Sequence, residues 1–168
     1  DQQVISILNN NATCVFASDI NSDGFIDIIA STLYEIVWFE NNAGNGFSSS
    51  DYITTSVDNL LSFYITDIDI DGDVDVVSSS RLDNMIAWYE NTNGNGDFGP
   101  QQIISTNAEG ACSVYSGDVD GDGDKDVVSA SWIDNKIALY ENTDGNGNFG
   151  VQEIIDLTNG PFSVYLTD

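Results

Sequence analysis

The stretch DVDGDGDKD, residues 118–126, places five aspartates and one lysine within nine positions. Gly121 and Gly123 favour a turn here, because glycine adopts backbone angles that other residues avoid. In such a turn, side chains at alternate positions point towards a common centre, where their like charges repel one another. The stretch therefore predicts a tight turn that encloses a cation.

The same pattern occurs twice more, so the chain contains an internal repeat. DINSDGFID spans 19–27 and DIDIDGDVD spans 67–75, and all three stretches fit the pattern D-x-[DN]-x-D-G-x-x-D. Their first aspartates are 48 and 51 residues apart, and Asp168 lies a further 50 residues along the chain. This regular spacing predicts a fold made of similar structural units.

Composition restricts the classes of partner. Asp and Glu number 28 against three basic residues, histidine is absent, and the formal net charge is -25. This charge argues against binding to nucleic acid or to an anionic membrane, and makes cations or basic proteins the natural partners. A hydrophobic fraction of 41% predicts a folded core. No apolar run approaches the ~20 residues of a membrane span and no secretion signal opens the sequence, so we expect a soluble mature portion or fragment.

Each repeat contains four short apolar segments that have the character of β-strands. In the third repeat they are CSVYSG (112–117), DVVSAS (126–131), KIALYEN (136–142) and VQEIID (151–156). The segments are rich in Val, Ile and aromatic residues and are bounded by Gly, Asn or Asp, as strands are. Four antiparallel strands in a period of about 50 residues predict a β-propeller blade.

The predicted fold is all-β, a propeller of four-stranded antiparallel blades with a stray strand at each end. Three complete blades are predicted at 13–56, 61–105 and 112–156, with the outer strand of a preceding blade at 1–7 and the inner strand of a following blade at 162–168. Closed propellers have typically 4 to 8 blades. Either further blades of one longer chain or several chains together must complete the ring, and we favour the longer chain.

Segments rich in Asn and Gly join the third and fourth strands. NNAGNGF, NTNGNGDFG and NTDGNGNFG suit the positive backbone angles of hairpin turns, which Phe47, Phe98 and Phe149 could anchor to the core. Asp144 and the asparagines also offer oxygens for a second metal site. We prefer the turn, because residues 41–47 contain no carboxylate.

Cys14 and Cys112 lie in apolar segments nearly two repeats apart. In a secreted protein they could form a disulfide, and otherwise they are two small buried residues. We favour the second alternative, because such distant repeats seldom bring two Cα atoms within ~7 Å.

The acidic stretches share their first half with an EF-hand calcium loop, which has oxygen ligands at positions 1, 3 and 5 and glycine at position 6. The EF-hand also needs Glu at position 12, where this chain has Ala30, Ser78 and Ser129. A carboxylate stands at position 9 instead, and a strand follows, so the EF-hand is excluded. With neither histidine nor cysteine in the loops, the ligands are all hard oxygens, which favours calcium.

These residues resemble the FG-GAP repeats of integrin α-subunit propellers and the related VCBS-type repeats of bacterial secreted proteins. The resemblance rests on the three loops in register and on the pairs Phe98-Gly99 and Phe149-Gly150. It implies one Ca²⁺ site per loop, three in all, with ligands from positions 1, 3, 5 and 9 and the carbonyl of position 7. The implied ligands are Asp19, Asn21, Asp23, Phe25 and Asp27; Asp67, Asp69, Asp71, Asp73 and Asp75; and Asp118, Asp120, Asp122, Asp124 and Asp126. The first repeat departs from the pattern, with Asn21 in place of Asp and no F-G pair after Phe47.

The predicted function is a calcium-stabilised extracellular or cell-surface propeller for adhesion or for binding a protein or glycan, as integrin propellers and some lectins do. The alternative is a spacer in a large secreted or surface protein. Enzyme activity is not expected, because histidine is absent and nearly all the carboxylates that could serve as acid and base are assigned to metal loops. The turns opposite the loops carry Tyr34, Arg81 and Trp132, and Arg and Trp are typical interface residues. We expect any ligand to bind on that rim.

Overall fold

The computed structural model describes residues 4–5, 11–48 and 51–167. It contains twelve β-strands, and no helix occurs within these ranges. The strands are β1 Ala12–Ser18, β2 Asp27–Thr32, β3 Ile36–Phe39, β4 Asp51–Thr54, β5 Leu60–Thr66, β6 Asp75–Ser80, β7 Met85–Tyr89, β8 Gln102–Ser105, β9 Ala111–Gly117, β10 Asp126–Ser131, β11 Lys136–Tyr140 and β12 Glu153–Leu157. In the same ranges, no helix long and apolar enough to cross a membrane is found.

Consecutive strands form three four-stranded antiparallel sheets, ordered β1-β2-β3-β4, β5-β6-β7-β8 and β9-β10-β11-β12. The prediction of an all-β fold of propeller-like blades is therefore confirmed. The first strands of successive blades lie side by side, because β5 contacts both β1 and β9. An aromatic row follows this contact, with ring centroids 5.8 Å apart for Phe16 and Tyr64 and 4.1 Å apart for Tyr64 and Tyr115.

The hydrophobic cores lie between the blades. One core joins the first two blades and contains the buried Trp38, Phe63 and Tyr89. A second core joins the second and third blades and contains Trp88 and Tyr140. A single sheet cannot bury both of its faces, so each blade depends on its neighbours for stability.

The Asn- and Gly-rich segments form turns, as expected. Isolated bridges pair Asn41 with Phe47, Asn91 with Phe98 and Asn142 with Phe149. Phe98 packs against the first core and Phe149 against the second. These phenylalanines hold the turns of the second and third blades on the protein body.

Both cysteines are free. Cys14 is half-buried in β1, whereas Cys112 is buried in β9 with its Sγ 3.2 Å from the Pro161 carbonyl oxygen. Burial raises the pKa of the Cys112 thiol. Cys112 therefore packs as a small buried residue.

The predicted end strands stay predictions. Of 1–7, only residues 4–5 lie within the described ranges, and Asp168 lies outside them. Residues 162–167 join no sheet of the described chain, although the Val164 N–H donates to Ser113 Oγ at 3.2 Å.

Candidate metal centres

The three acidic loops occupy equivalent places in the three blades. Each connects the first strand of its sheet to the second: β1 to β2, β5 to β6, and β9 to β10. Position 9 of each loop is the first residue of the second strand, and it pairs with the last residue of the first strand. The sheets therefore present all three loops at the same end of their inner strand pairs.

The position-9 aspartates Asp27, Asp75 and Asp126 are buried and fix the base of each loop. One carboxylate oxygen accepts the N–H of position 2, at 3.1, 2.9 and 2.9 Å respectively. The other accepts the N–H of the asparagine that follows the third strand, at 2.8, 2.8 and 3.0 Å. Burial raises the pKa of Asp75 to about 7, while these two N–H donors act in the opposite direction.

Hydrogen bonds within each loop curl the chain around its carboxylates. The position-1 aspartate accepts the N–H of the position-6 glycine, at 2.9 Å in the first loop and 3.1 Å in the other two. The position-5 aspartate accepts the N–H of position 7 at 2.8 to 2.9 Å. Both contacts hold carboxylates close together, and within the described residues no ion pair to a loop carboxylate is formed.

Two loops bring three carboxylates into one group. Oxygens of Asp67, Asp69 and Asp71 lie within 4.8 Å of one another in the second loop. Oxygens of Asp118, Asp120 and Asp126 do so in the third. The first loop forms no such group of acids among the described residues, and its position 3 is the amide Asn21.

The second loop contains a buried oxygen without a partner. Asp67 Oδ1 is inaccessible and accepts no hydrogen bond in the described chain. Burial, followed by the charge of Asp71, raises the pKa of Asp69. A buried acceptor beside two further carboxylates is the environment that a hard cation would satisfy, so these residues fit Ca²⁺.

The position-7 side chains point elsewhere. The Asp73 carboxylate lies against Gly94 and the Asp124 carboxylate against Gly145, both in the turn after the third strand. Any contribution of these two residues to a cation in their own loop would therefore come from the backbone carbonyl. The equivalent Phe25 has an apolar side chain that is 41% exposed.

The Glu-Asn pairs after the third strands also interact with the acidic loops, and the sequence pattern of the loops does not include them. Glu40 accepts a hydrogen bond from the Asn21 amide at 3.3 Å, and the Glu90 charge contributes to the raised pKa of Asp69. The signal in the sequence was the E-N dipeptide, which recurs in register at 40–41, 90–91 and 141–142.

These asparagines also connect neighbouring blades. The Asn91 side chain donates to the Ile20 carbonyl in the first loop at 2.9 Å, and Asn142 donates to the Ile68 carbonyl in the second loop at 2.9 Å. Both asparagines are fully buried. The acidic loop of one blade is therefore hydrogen-bonded to the blade that follows.

The opposite rim contains the other predicted site residues. The Arg81 guanidinium lies 5.0 Å from the centre of the Trp132 ring, a cation–π contact between the second and third blades. Trp132 is 40% exposed and its ring also lies 5.6 Å from that of Phe162. A separate crevice of about 490 Å³ has polar walls and does not include Arg81 or Trp132. It is lined by Asn84, Thr106, Asn107, Glu109, Asp134, Lys136 and Gln152.

Tyr34 does not belong to the same arrangement. The Thr32 N–H donates to the Glu35 carbonyl at 2.9 Å, so the first blade has a two-residue turn formed by Leu33 and Tyr34. In the second and third blades, the last pairs between the second and third strands are Ser80–Met85 and Ser131–Lys136. Their turns therefore contain four residues, 81–84 and 132–135. Tyr34 therefore lies in a turn two residues shorter than the turns that carry Arg81 and Trp132.

Four-stranded antiparallel sheets packed face to face, each with an aspartate loop between its first two strands, define a β-propeller-type repeat protein. The model of the FG-GAP-like repeat matches residues 19–78, 67–129 and 118–168, and the chain belongs to this family. Each match begins at the first aspartate of one acidic loop. The matches therefore follow the same repeat as the sequence pattern and the sheets.

Among solved structures, the chain is similar to a lectin of Agrocybe aegerita described for its specific recognition of non-reducing terminal N-acetylglucosamine. The two share 24% sequence identity with a TM-score of 0.63, over 89% of this chain and 39% of the lectin chain. The chain thus spans about two fifths of that structure, and the likeness concerns the fold alone. No curated protein sequence matches the chain.

Proposed function

We propose that the chain is a calcium-stabilised β-propeller module of an extracellular or cell-surface protein. The observation that carries this proposal is the unpartnered, buried Asp67 Oδ1 beside the carboxylates of Asp69 and Asp71. The same kind of loop recurs in all three blades, as the resemblance to integrin-type repeats implies. Bound calcium would neutralise charges that otherwise repel one another where the first and second strands meet.

In this proposal the chain's own residues hold the cation and link it to the fold. Asp67, Asp69 and Asp71 bind it in the second loop, and Asp118, Asp120 and Asp126 bind it in the third. The first loop offers Asp19, Asn21 and Asp23, and therefore one negative charge fewer. The position-9 aspartates are fixed by two N–H donors each, so they tie the loop to the sheet. The metal is structural, and we propose no catalytic role for a chain without histidine.

Calorimetric titration of the chelator-treated chain with CaCl₂ tests the metal proposal. We expect three Ca²⁺ per chain, falling to two in the double variant Asp67→Asn/Asp71→Asn. Asp58→Asn/Asp83→Asn removes the same charge from the opposite rim and serves as the control, in which three ions still bind. Absence of calcium binding up to about 10 mM, roughly ten times the weakest Kd expected of extracellular calcium modules, would rule the proposal out.

We further propose that the module binds a glycan or protein on the rim that carries Arg81 and Trp132. A partly exposed indole in contact with a guanidinium combines apolar surface with hydrogen-bond donors, and this combination suits a sugar ring. The likeness to a lectin fold supports a glycan as the first ligand class to test. A spacer without a ligand is the alternative function.

Binding of the chain to a glycan array that includes terminal N-acetylglucosamine distinguishes the two functions. A ligand-binding module gives saturable binding to a defined set of glycans, and soluble sugar competes for that binding. A spacer gives none, and the same absence in a screen of extracellular proteins would favour the spacer.

A further inference from the structure

A continuous series of hydrogen bonds passes through all three acidic loops. The Asp27 carboxylate accepts the Ile20 N–H, and the Ile20 carbonyl accepts the Asn91 side chain of the next blade. The backbone N–H of Asn91 in turn donates to Asp75 in the second loop. The same arrangement continues into the third loop. Asp75 accepts the Ile68 N–H, the Ile68 carbonyl accepts the Asn142 side chain, and the Asn142 backbone N–H donates to Asp126, at 2.9 to 3.0 Å.

Every bond in this series is shielded from water. Ile20 and Ile68 are 1% and 0% exposed, and Asn91 and Asn142 are 0% exposed. A buried amide that loses its partner pays a desolvation cost, so the asparagine and the facing loop favour a common geometry. The Ile20 carbonyl of the first loop holds the Asn91 side chain, and the Asn91 backbone N–H orients Asp75 of the second loop. An ordered first loop therefore favours an ordered second loop.

We propose that Asn91 and Asn142 are positioning residues that couple neighbouring cation sites, so that calcium loading of one loop favours loading of the next. This inference rests on the proposed calcium sites and adds to them an interaction between sites. A loop that is ordered by its cation holds the asparagine of the neighbouring blade, and the second loop then loses less conformational entropy on binding. Coupling of the size of one hydrogen bond corresponds to roughly a 2- to 10-fold change in affinity.

Asn41 provides a matched comparison within the chain. Its backbone N–H donates to Asp27 and its side-chain oxygen accepts the Gly44 N–H, as the equivalent groups of Asn91 do with Asp75 and Gly96. The Asn41 amide, however, donates to Ile26 in its own blade. Asn41→Ala therefore removes two side-chain bonds within the first blade, keeps the backbone bond to Asp27, and removes no described bond to another blade.

The experiment follows each loop separately in the full 168-residue chain. The position-6 glycines Gly24, Gly72 and Gly123 donate to the position-1 carboxylates, so their amide resonances in a ¹⁵N-labelled chain report CaCl₂ binding loop by loop. The third loop is disabled by Asp120→Asn/Asp122→Asn, and the CaCl₂ dependence of Gly72 is compared with and without Asn142→Ala. The two lost charges also change calcium binding at Gly72 through long-range electrostatics. This change occurs with and without Asn142→Ala, so comparing the two backgrounds removes it.

We expect disabling of the third loop to weaken calcium binding at Gly72 by roughly 2- to 10-fold more in the wild-type background than in the Asn142→Ala background, and we expect the Asn41→Ala background to behave like the wild type. An effect of equal size in all backgrounds overturns the inference and leaves the calcium proposal intact. If no glycine responds to calcium, the calcium proposal itself fails. The equivalent experiment disables the first loop and follows Gly72 with and without Asn91→Ala. It tests the coupling if the Asn142→Ala variant does not fold.

Discussion

Trp38 of the first blade packs directly on Gly96 of the second, so closely that a Cβ atom at Gly96 would overlap the indole ring. Gly147 and Trp88 repeat this contact at the next junction. The glycine belongs to the turn that follows the third strand, and the Trp lies in the third strand of the preceding blade. The turn of one blade therefore packs on the core tryptophan of the preceding blade.

Gly96→Ala should destabilise the chain by about 2–4 kcal/mol. The new methyl group would collide with Trp38, and a φ of +84° disfavours any residue with a Cβ atom. Urea denaturation in the presence of calcium measures the loss. Gly46→Ala is the matched control, because Gly46 has a φ of +113° but a Cβ atom added there would meet nothing within 4 Å. Equal losses in the two variants would contradict the importance of the contact.

Calcium should raise the thermal stability of the chain. For sites with a Kd of ~0.1 mM, ~1 mM calcium would add roughly 1.4 kcal/mol per site by mass action. Differential scanning calorimetry with calcium and with chelator measures the change in melting temperature. An identical melting temperature in both conditions would refute the stabilising role, and magnesium at the same concentration controls for ionic strength.

Asn21→Asp should strengthen calcium binding to the first loop by roughly 3- to 10-fold, since it restores the fourth carboxylate. The same change should lower stability in chelator, because the Asn21 amide now donates to Glu40 and Asp23, and a carboxylate would repel both. Calcium titration and melting in chelator give the two readouts. Stability that is unchanged in chelator would show that these two long contacts contribute little.

Arg81→Ala/Trp132→Ala should weaken binding of a ligand by at least tenfold and change the calcium-dependent melting temperature only slightly. The pair lies on the rim opposite the acidic loops, and Trp132 is 40% exposed. Surface plasmon resonance against the ligand that the array identifies measures the change. Tyr34→Ala, in the shorter turn of the first blade, should bind like the wild type. Full binding by the double variant would favour the spacer.

The isolated 168-residue chain should self-associate. On the third blade, β12 is exposed along its whole length, and Val151 and Leu157 are 92% and 68% exposed. Exposed apolar residues beside an unpaired edge strand promote association. Light scattering should detect oligomers that Val151→Asp/Leu157→Asp reduces, and a monodisperse wild-type monomer would contradict this prediction.

The strands, turns and acidic loops could be predicted because their signals are local. A Gly at position 6 and alternate aspartates determine a turn within nine residues, and the apolar segments beside it determine the strands. The repeat then predicted the blade architecture, because three copies of one pattern form three similar units that pack against one another in the same way.

The contacts between blades could not be predicted in this way. Asn91 and its acceptor Ile20 are 71 residues apart, and only the packing of complete sheets brings them together. The dipeptide Glu90-Asn91 looked like an ordinary strand end. The shorter turn that contains Tyr34 likewise depends on where the strands pair, which the local sequence pattern does not determine.

Each described junction between blades is directional. A blade offers a Trp and the carbonyl of loop position 2 to its successor, and it receives that successor's turn glycine and asparagine. At both described junctions, two different blade faces meet, so the interface is heterologous. Such an interface can be repeated from blade to blade. The rotation between successive blades, and not the chemistry of the junction, therefore sets how many blades a closed ring of this type accommodates.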